Sequence, residues 1–350
     1  MPQEVTLVEV SFMTWLARQI IPAMICLLLA QNITPQADKQ KPIQSEDEPI
    51  KLHTTLVQVP VIVKESGGRY LTDLKKDEFT IYEDGVKRDL AFFGTVEQPF
   101  NVALLIDSSG STVEQLERIK TSALAFIDNL RPQDKVMVVE FNDSVRILSE
   151  LTGDRQRIER AIAEIKPGEY TQVFEAVYTA VWEKLAQVEG RKAVILFSDG
   201  IDNASSEIEM EDTLDAVIES EDVIVYPIRY STRADVERKI EKKFTIQVTA
   251  SNQKAQEDYD KALRELDRSY READEYLTEL ARLSGGVVER ADQLTDLKAA
   301  FGRIADELRR QYVLGYYPPD KDGDKERRIS VSVSRQGAIV RARPGYRVTQ

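Results

Sequence analysis

The alternation of apolar and polar positions changes character along the chain, and each change marks a different kind of structure. Over 55–63 and 79–87 the pattern is short and two-periodic, with Pro60 expected at an edge or bulge and Asp84-Gly85 reading as a hairpin turn. With 90–93, these runs predict a small all-β unit over 50–96. From about residue 97, largely apolar runs (103–106, 135–141, 191–197, 223–228) alternate with amphipathic stretches of helical period (113–130, 154–165, 173–188, 208–219). Such apolar runs are strands covered on both faces. Their alternation with helices predicts an α/β fold, a doubly wound, mostly parallel, Rossmann-like sheet. Residues 144–148 read as a hairpin partner to the second strand.

Between 253 and 283 the chain is dense in charge, yet Tyr259, Leu263, Leu266, Tyr270, Ala273 and Leu277 recur at helical spacing. This predicts a long charged helix, begun in an insertion at about 232–275, that projects from the domain or folds against it as a hairpin. Gly285-Gly286 ends it, 287–289 supply a last strand and 295–310 a closing helix. The β texture returns at 312–317, 328–333 and 338–343. Neither flanking β segment is large enough to bury a face alone. The expectation is therefore one sandwich-like module made of 50–96 and 312–350, with an α/β domain at 97–311 inserted between them.

Upstream, Arg18, the apolar run 20–30 and the polar stretch after it describe a secretory signal peptide over 1–30, followed by a flexible linker at 31–49. The first twelve residues are acidic and ill suited to lead such a signal, which makes Met13 an alternative start. An uncleaved membrane anchor is the alternative to cleavage. Cys26, the single cysteine, lies in the apolar run, so processing at Ala30 would leave a secreted or extracytoplasmic protein without disulfides. The net charge of −13 argues against a nucleic-acid partner. The single histidine, His53, falls in a predicted strand and argues against histidine-based catalysis and a zinc site.

Candidate chemistry gathers where apolar strands end. The first breaks into Asp107-Ser108-Ser109-Gly110-Ser111, offering a carboxylate and two hydroxyls at the edge where open α/β sheets bind ligands. Alone, such a string is often no more than a helix cap. Two later residues change its weight: Thr171 in a loop entering a helix, and Asp199 at the end of the neighbouring apolar strand. Asp107, Ser109, Ser111, Thr171 and Asp199 are all hard oxygen donors, suited to Mg2+ or alternatively Mn2+ or Ca2+.

On these residues, 98–311 resembles a von Willebrand factor type A domain, and the five donors match that family's metal-ion-dependent adhesion site. Ser198-Asp199-Gly200-Ile201-Asp202-Asn203 and Thr171-Gln172-Val173-Phe174-Glu175-Ala176 resemble two further family strings. Glu175 stands where Asp is common, and Glu169 and Tyr170 where glycines often stand. The stretches 79–86, 285–286, 311–318 and 341–346 resemble the secreted bacterial VWFA-related family described from acidobacteria. The resemblance implies that Asp107, Ser109 and Ser111 bind the ion directly, and Thr171 and Asp199 directly or through water. It also implies an open coordination position for an acidic residue of a protein partner. Asp202 is expected near the rim rather than as a ligand.

The function expected from this is a secreted, adhesion-type protein-binding module, with membrane contact limited to an uncleaved N-terminal anchor. Two alternatives stand beside it: metal-assisted hydrolysis, for example of a phosphoester, and an ion that only stabilises the domain. Catalysis needs a base and charge clamps, and the site loops carry no His, Lys or Arg.

Overall fold

The computed structural model describes residues 56–94, 99–220, 222–245, 253–291, 294–319 and 326–347. The expected signal peptide, the linker, Cys26 and His53 lie outside the described residues. Contacts divide the chain into Met1–Leu52 and His53–Gln350, and all that follows concerns the second unit.

That unit begins with four strands: β1 (Val57–Glu65), β2 (Phe79–Glu83), β3 (Val86–Arg88) and β4 (Phe92–Gly94). Next come β5 (Phe100–Asp107), α1 (Leu116–Asn129), β6 (Lys135–Phe141), β7 (Val145–Thr152), α2 (Arg155–Glu164) and α3 (Val173–Tyr178). β8 (Arg191–Ser198), α4 (Met210–Glu219), β9 (Val223–Arg229), α5 (Arg233–Thr245), α6 (Gln253–Ser284), β10 (Glu289–Arg290) and α7 (Leu294–Leu308) follow. The last strands are β11 (Tyr312–Tyr316), β12 (Glu326–Val333), β13 (Ala338–Ala342) and β14 (Gly345–Arg347).

The central sheet runs β10-β9-β8-β5-β6-β7, parallel throughout except for antiparallel β7. Its inner strands are apolar along their length because both faces are covered; β8 is buried at every position. Alternation of side chains sends Val102, Leu104 and Ile106 to a core shared with α1, α2 and α7. Ala103 and Leu105 point the other way, against α3, α4 and α6. Asp154 caps α2 by accepting from the backbone N–H groups of Gln156 (3.0 Å) and Arg157 (3.2 Å).

The charged stretch at about 232–275 forms α5 and much of α6, laid antiparallel. Arg233 pairs with Asp267, and the rings of Phe244 and Tyr259 meet at 5.7 Å. From Leu266 onward α6 is buried at helical spacing through Tyr270, Ala273, Leu277 and Leu280, and this half of the helix covers one face of the sheet. Charge density alone did not separate the packed half from the exposed one.

Two four-stranded sheets, β13-β1-β11-β4 and β14-β12-β2-β3, lie outside the α/β layers and share one core. Val59 and Val61 of β1 meet Ile81, Leu314, Tyr316, Ile329 and Tyr346 there. Asp84 and Gly85 both adopt positive φ (50° and 80°), giving the tight turn that joins β2 to β3. β1 is interior in its sheet, contrary to the edge position expected from Pro60. Its neighbours are staggered: β11 pairs with residues 57–61 and β13 only from Val61, so Pro60 has a partner strand on one side alone. Buried Arg343, between β13 and β14, donates to the backbone carbonyls of Val217, Ile218 and Ser220 at the end of α4. Among the described residues no helix is long and apolar enough to cross a membrane.

Candidate metal centre

The site is built at the carboxyl ends of two adjacent parallel strands, β5 and β8, where the chain order turns toward β6 on one side and β9 on the other. Asp107 ends β5. Its Oδ1 accepts from the Ser109 backbone N–H (3.0 Å) and its Oδ2 from the Ser198 hydroxyl at the end of β8 (2.9 Å). The turn that follows brings the hydroxyls of Ser109 and Ser111 to 3.0 Å of each other, and Thr112 locks it by donating to the Ser109 carbonyl (2.9 Å).

A second loop, carrying Thr171, is pressed onto this turn. The Gly168 backbone N–H donates to the Ser108 carbonyl at 2.8 Å. A Cβ on Gly168 would lie 2.7 Å from the Asn142 side chain, so the approach requires glycine there, and one on Gly110 would be a tight 3.3 Å from the Glu169 carbonyl. The β6–β7 turn props the loop from behind. Asp143 Oδ1 accepts from the backbone N–H groups of Glu169 (2.9 Å) and Tyr170 (2.7 Å), and Asn142 Nδ2 donates to Ser108 Oγ (3.0 Å) and the Lys166 carbonyl (3.1 Å). Glu140, fully buried, accepts from the Lys166 backbone N–H at 2.5 Å.

The third loop carries Asp199. Its Oδ1 accepts from the Ile201 backbone N–H (3.1 Å) and its Oδ2 from the Thr232 hydroxyl. This loop reaches the second through Asn203, whose Oδ1 accepts from the Thr171 backbone N–H at 2.8 Å, while Thr171's carbonyl accepts from the N–H groups of Asn203 and Ala204. Asp202 accepts from the backbone N–H groups of Phe174 (3.0 Å) and Ser205 (2.9 Å), so it ties the loop to the start of α3.

The structure therefore gathers the loops bearing all five expected residues at one sheet edge. Asp107, Ser109, Thr171 and Asp199 are buried, and Ser111 is partly exposed. Burial, and after it the charge of Asp199, pushes the Asp107 carboxyl up to about 7. Burial likewise raises Asp199, opposed by the bond from Thr232 and by the charge of Arg229. Arg229 itself is ion-paired with Asp274. Among the described residues neither site carboxylate forms an ion pair. Two buried carboxylates with no protein cation between them, surrounded by hydroxyls, fit a hard divalent ion. Mg2+ commonly takes one or two carboxylates and keeps the remaining positions for neutral oxygens. No group of three or more His, Cys, Asp or Glu side chains suited to a metal occurs among the described residues.

Sequence reasoning missed Glu140, Asn142, Asp143, Thr232 and Tyr270. A charge inside the apolar run Lys135–Phe141 was the one local sign, pointing to Glu140.

Comparison with known proteins gives three kinds of match. A family model for the von Willebrand factor type A domain matches residues 101–270. An uncharacterized protein of Synechocystis sp. is 32% identical over 106 residues, which are 29% of this chain and 25% of that protein. The chain thus spans about a quarter of the length of this curated relative. Among solved structures, a von Willebrand factor type A protein of Catenulispora acidiphila is similar at 11% identity and TM-score 0.45, covering 76% of this chain and 73% of that one. The corresponding domain of the pilus tip protein Mfa5 of Porphyromonas gingivalis aligns at 12% identity and TM-score 0.41, covering 59% and 94%. Proximal thread matrix protein 1 from the mussel byssus, with a zinc-occupied motif of this kind, aligns at 14% identity and TM-score 0.42, covering 65% and 49%. The mostly parallel sheet flanked by helices and the family match agree: over residues 101–270 this chain carries a von Willebrand factor type A domain.

Proposed function

We propose that the chain is a metal-dependent protein-binding module, in which Asp107, Ser109, Ser111, Thr171 and Asp199 hold a divalent cation, Mg2+ in the first instance. The observation that carries this reading is the pair of buried carboxylates, Asp107 and Asp199, set among hydroxyls and, among the described residues, without an ion-paired cation. When bound, the ion would supply a Lewis-acidic position suited to a carboxylate of a protein partner. The protein's part is to place both carboxylates, to fix the three loops and to present the surface around them. Tyr170 (54% exposed) directly precedes Thr171, and Val113 (46% exposed) follows Ser111 by two residues. These apolar groups beside the donors offer contact area to a protein partner. Arg229 is engaged with Asp274, and no histidine stands in the loops, which favours binding over hydrolysis. We place the module outside the cytoplasm, secreted or extracytoplasmic, on the strength of the N-terminal apolar run.

The test is capture of immobilised Glu- and Asp-containing peptides by the full chain in Mg2+ and in EDTA. Capture in Mg2+ that EDTA abolishes supports the reading. Capture indifferent to metal, or none in either condition, overturns it in favour of an ion that only stabilises the fold.

A further inference from the structure

The helix hairpin reaches the metal centre through two hydroxyls. Thr232 Oγ1 donates to Oδ2 of Asp199, and the Tyr270 hydroxyl, from the middle of α6, lies 2.5 Å from the same Thr232 oxygen. Each hydroxyl has one proton. Thr232 gives its proton to Asp199, so the bond between the two hydroxyls runs from Tyr270 to Thr232. Both residues are buried, Thr232 completely.

Thr232 is also where α5 starts, its carbonyl accepting from the N–H groups of Asp235 (3.0 Å) and Val236 (3.1 Å). The next residue, Arg233, pairs with Asp267 on α6, three residues before Tyr270. On the other side of Asp199, Gly200 (φ 81°) lies directly against α6. A Cβ there would stand 2.9 Å from Leu277 Cγ and 3.0 Å from the Ala273 carbonyl. The Asp199 loop is thus held from both sides by the α5–α6 hairpin.

We propose that Thr232 and Tyr270 are positioning residues for Asp199, and that through them cation binding is coupled to the seating of the hairpin. This rests on the reading of Asp199 as a metal ligand. The Thr232 bond fixes the orientation of the carboxylate and stabilises its ionised form, which is the form that binds a cation. The Tyr270 bond holds the Thr232 proton on Asp199 by occupying the hydroxyl's acceptor side. Coupling is reciprocal. If a seated hairpin raises cation affinity, the cation holds the hairpin down by the same factor.

The test titrates the full chain with Mn2+ calorimetrically, as wild type, Thr232→Val, Thr232→Ser and Tyr270→Phe, with far-UV circular dichroism as the control for folding. Amide hydrogen exchange over 232–284 is followed with and without Mn2+. Loss of one charge-assisted bond predicts about tenfold weaker binding for Thr232→Val, and roughly threefold or more for Tyr270→Phe. Thr232→Ser, which keeps the hydroxyl, stays within about twofold of wild type. Mn2+ slows exchange in the hairpin of wild type but not of Thr232→Val. Wild-type affinity in Thr232→Val and Tyr270→Phe, with hairpin exchange indifferent to Mn2+, overturns the inference. So does a Thr232→Ser variant that behaves like Thr232→Val, since the methyl rather than the hydroxyl would then matter. A wild-type chain that binds no Mn2+ removes the metal reading itself and this inference with it.

Discussion

Replacing Arg343 with methionine keeps most of the side-chain volume and removes a set of bonds that joins the outer strands to the α/β layers. Arg343 is 1% exposed. It donates to the carbonyls of Ser220 (2.7 Å), Ile218 (2.7 Å) and Val217 (3.3 Å), which close α4, and to Gly345 (2.7 Å), which opens β14. The last carbonyls of a helix have no partner within it and carry the negative end of its dipole, so a buried cation there satisfies both needs. Each charge-assisted bond is worth about 1.5–3 kcal/mol net, and each carbonyl left buried without a partner costs about 1–3 kcal/mol. The contributions share one side chain and do not add, so the expected loss is about 3–5 kcal/mol, in the range seen when a buried charged network is broken. For a chain of this size that corresponds to roughly 10 °C in melting temperature. Urea unfolding followed by far-UV circular dichroism measures it, with Arg343→Lys as the second variant. Lysine keeps the charge but not the planar fork, and it should recover less than half of the loss. A loss below about 1 kcal/mol for Arg343→Met would refute the argument that these bonds hold the strands to α4.

Further outcomes follow from the site. Gly168→Ala places a methyl 2.7 Å from the Asn142 side chain, so the Thr171 loop must move. The expected cost is about 1–3 kcal/mol in urea unfolding, together with weaker Mn2+ binding; an unchanged Mn2+ affinity would show that the loop is not held as described. In the metal-free protein the folded-state values of Asp107 and Asp199 are raised, by burial first. A raised carboxyl contributes stability that is complete below its unfolded value, near 4, and is lost as pH rises through about 7. Metal-free melting temperature should therefore fall between pH 5 and pH 8, roughly spanning that window, and the gain on adding Mg2+ should grow over the same interval. Equal gains at both pH values in differential scanning calorimetry would count against the two carboxylates as the binding groups. Tyr170→Ser, at an exposed side chain, should leave Mn2+ affinity within about twofold of wild type. A larger drop in a titration would place the ring in the metal centre instead of beside it.

How much of this was legible in the sequence depended on distance along the chain. The string from Asp107 to Ser111 sits at the end of an apolar strand, and both the strand and its break are local patterns, so the sheet edge and its donors could be read directly. Asp199 was legible for the same reason, as the residue after β8. The residues that support these donors were not. Asp143 holds Tyr170 across 27 positions, Thr232 reaches Asp199 across 33, and Tyr270 reaches Thr232 across 38. No periodicity encodes which distant polar residue will fill such a role. Tyr270 was visible only as one apolar position in a helical stripe, and its hydroxyl was unassigned. Pro60 misled for a related reason. Its missing N–H restricts the partner at one position, whereas whether a strand lies inside a sheet depends on where its neighbours begin.

Everything proposed for this site depends on the five oxygen donors holding a divalent cation. The most direct measurement is calorimetric titration of the full chain with Mg2+ and Mn2+, compared with Asp107→Ala. One saturable site is expected in wild type, lost in the variant while its circular dichroism spectrum is retained. Binding that survives in Asp107→Ala, or a wild type that binds neither ion, would contradict it.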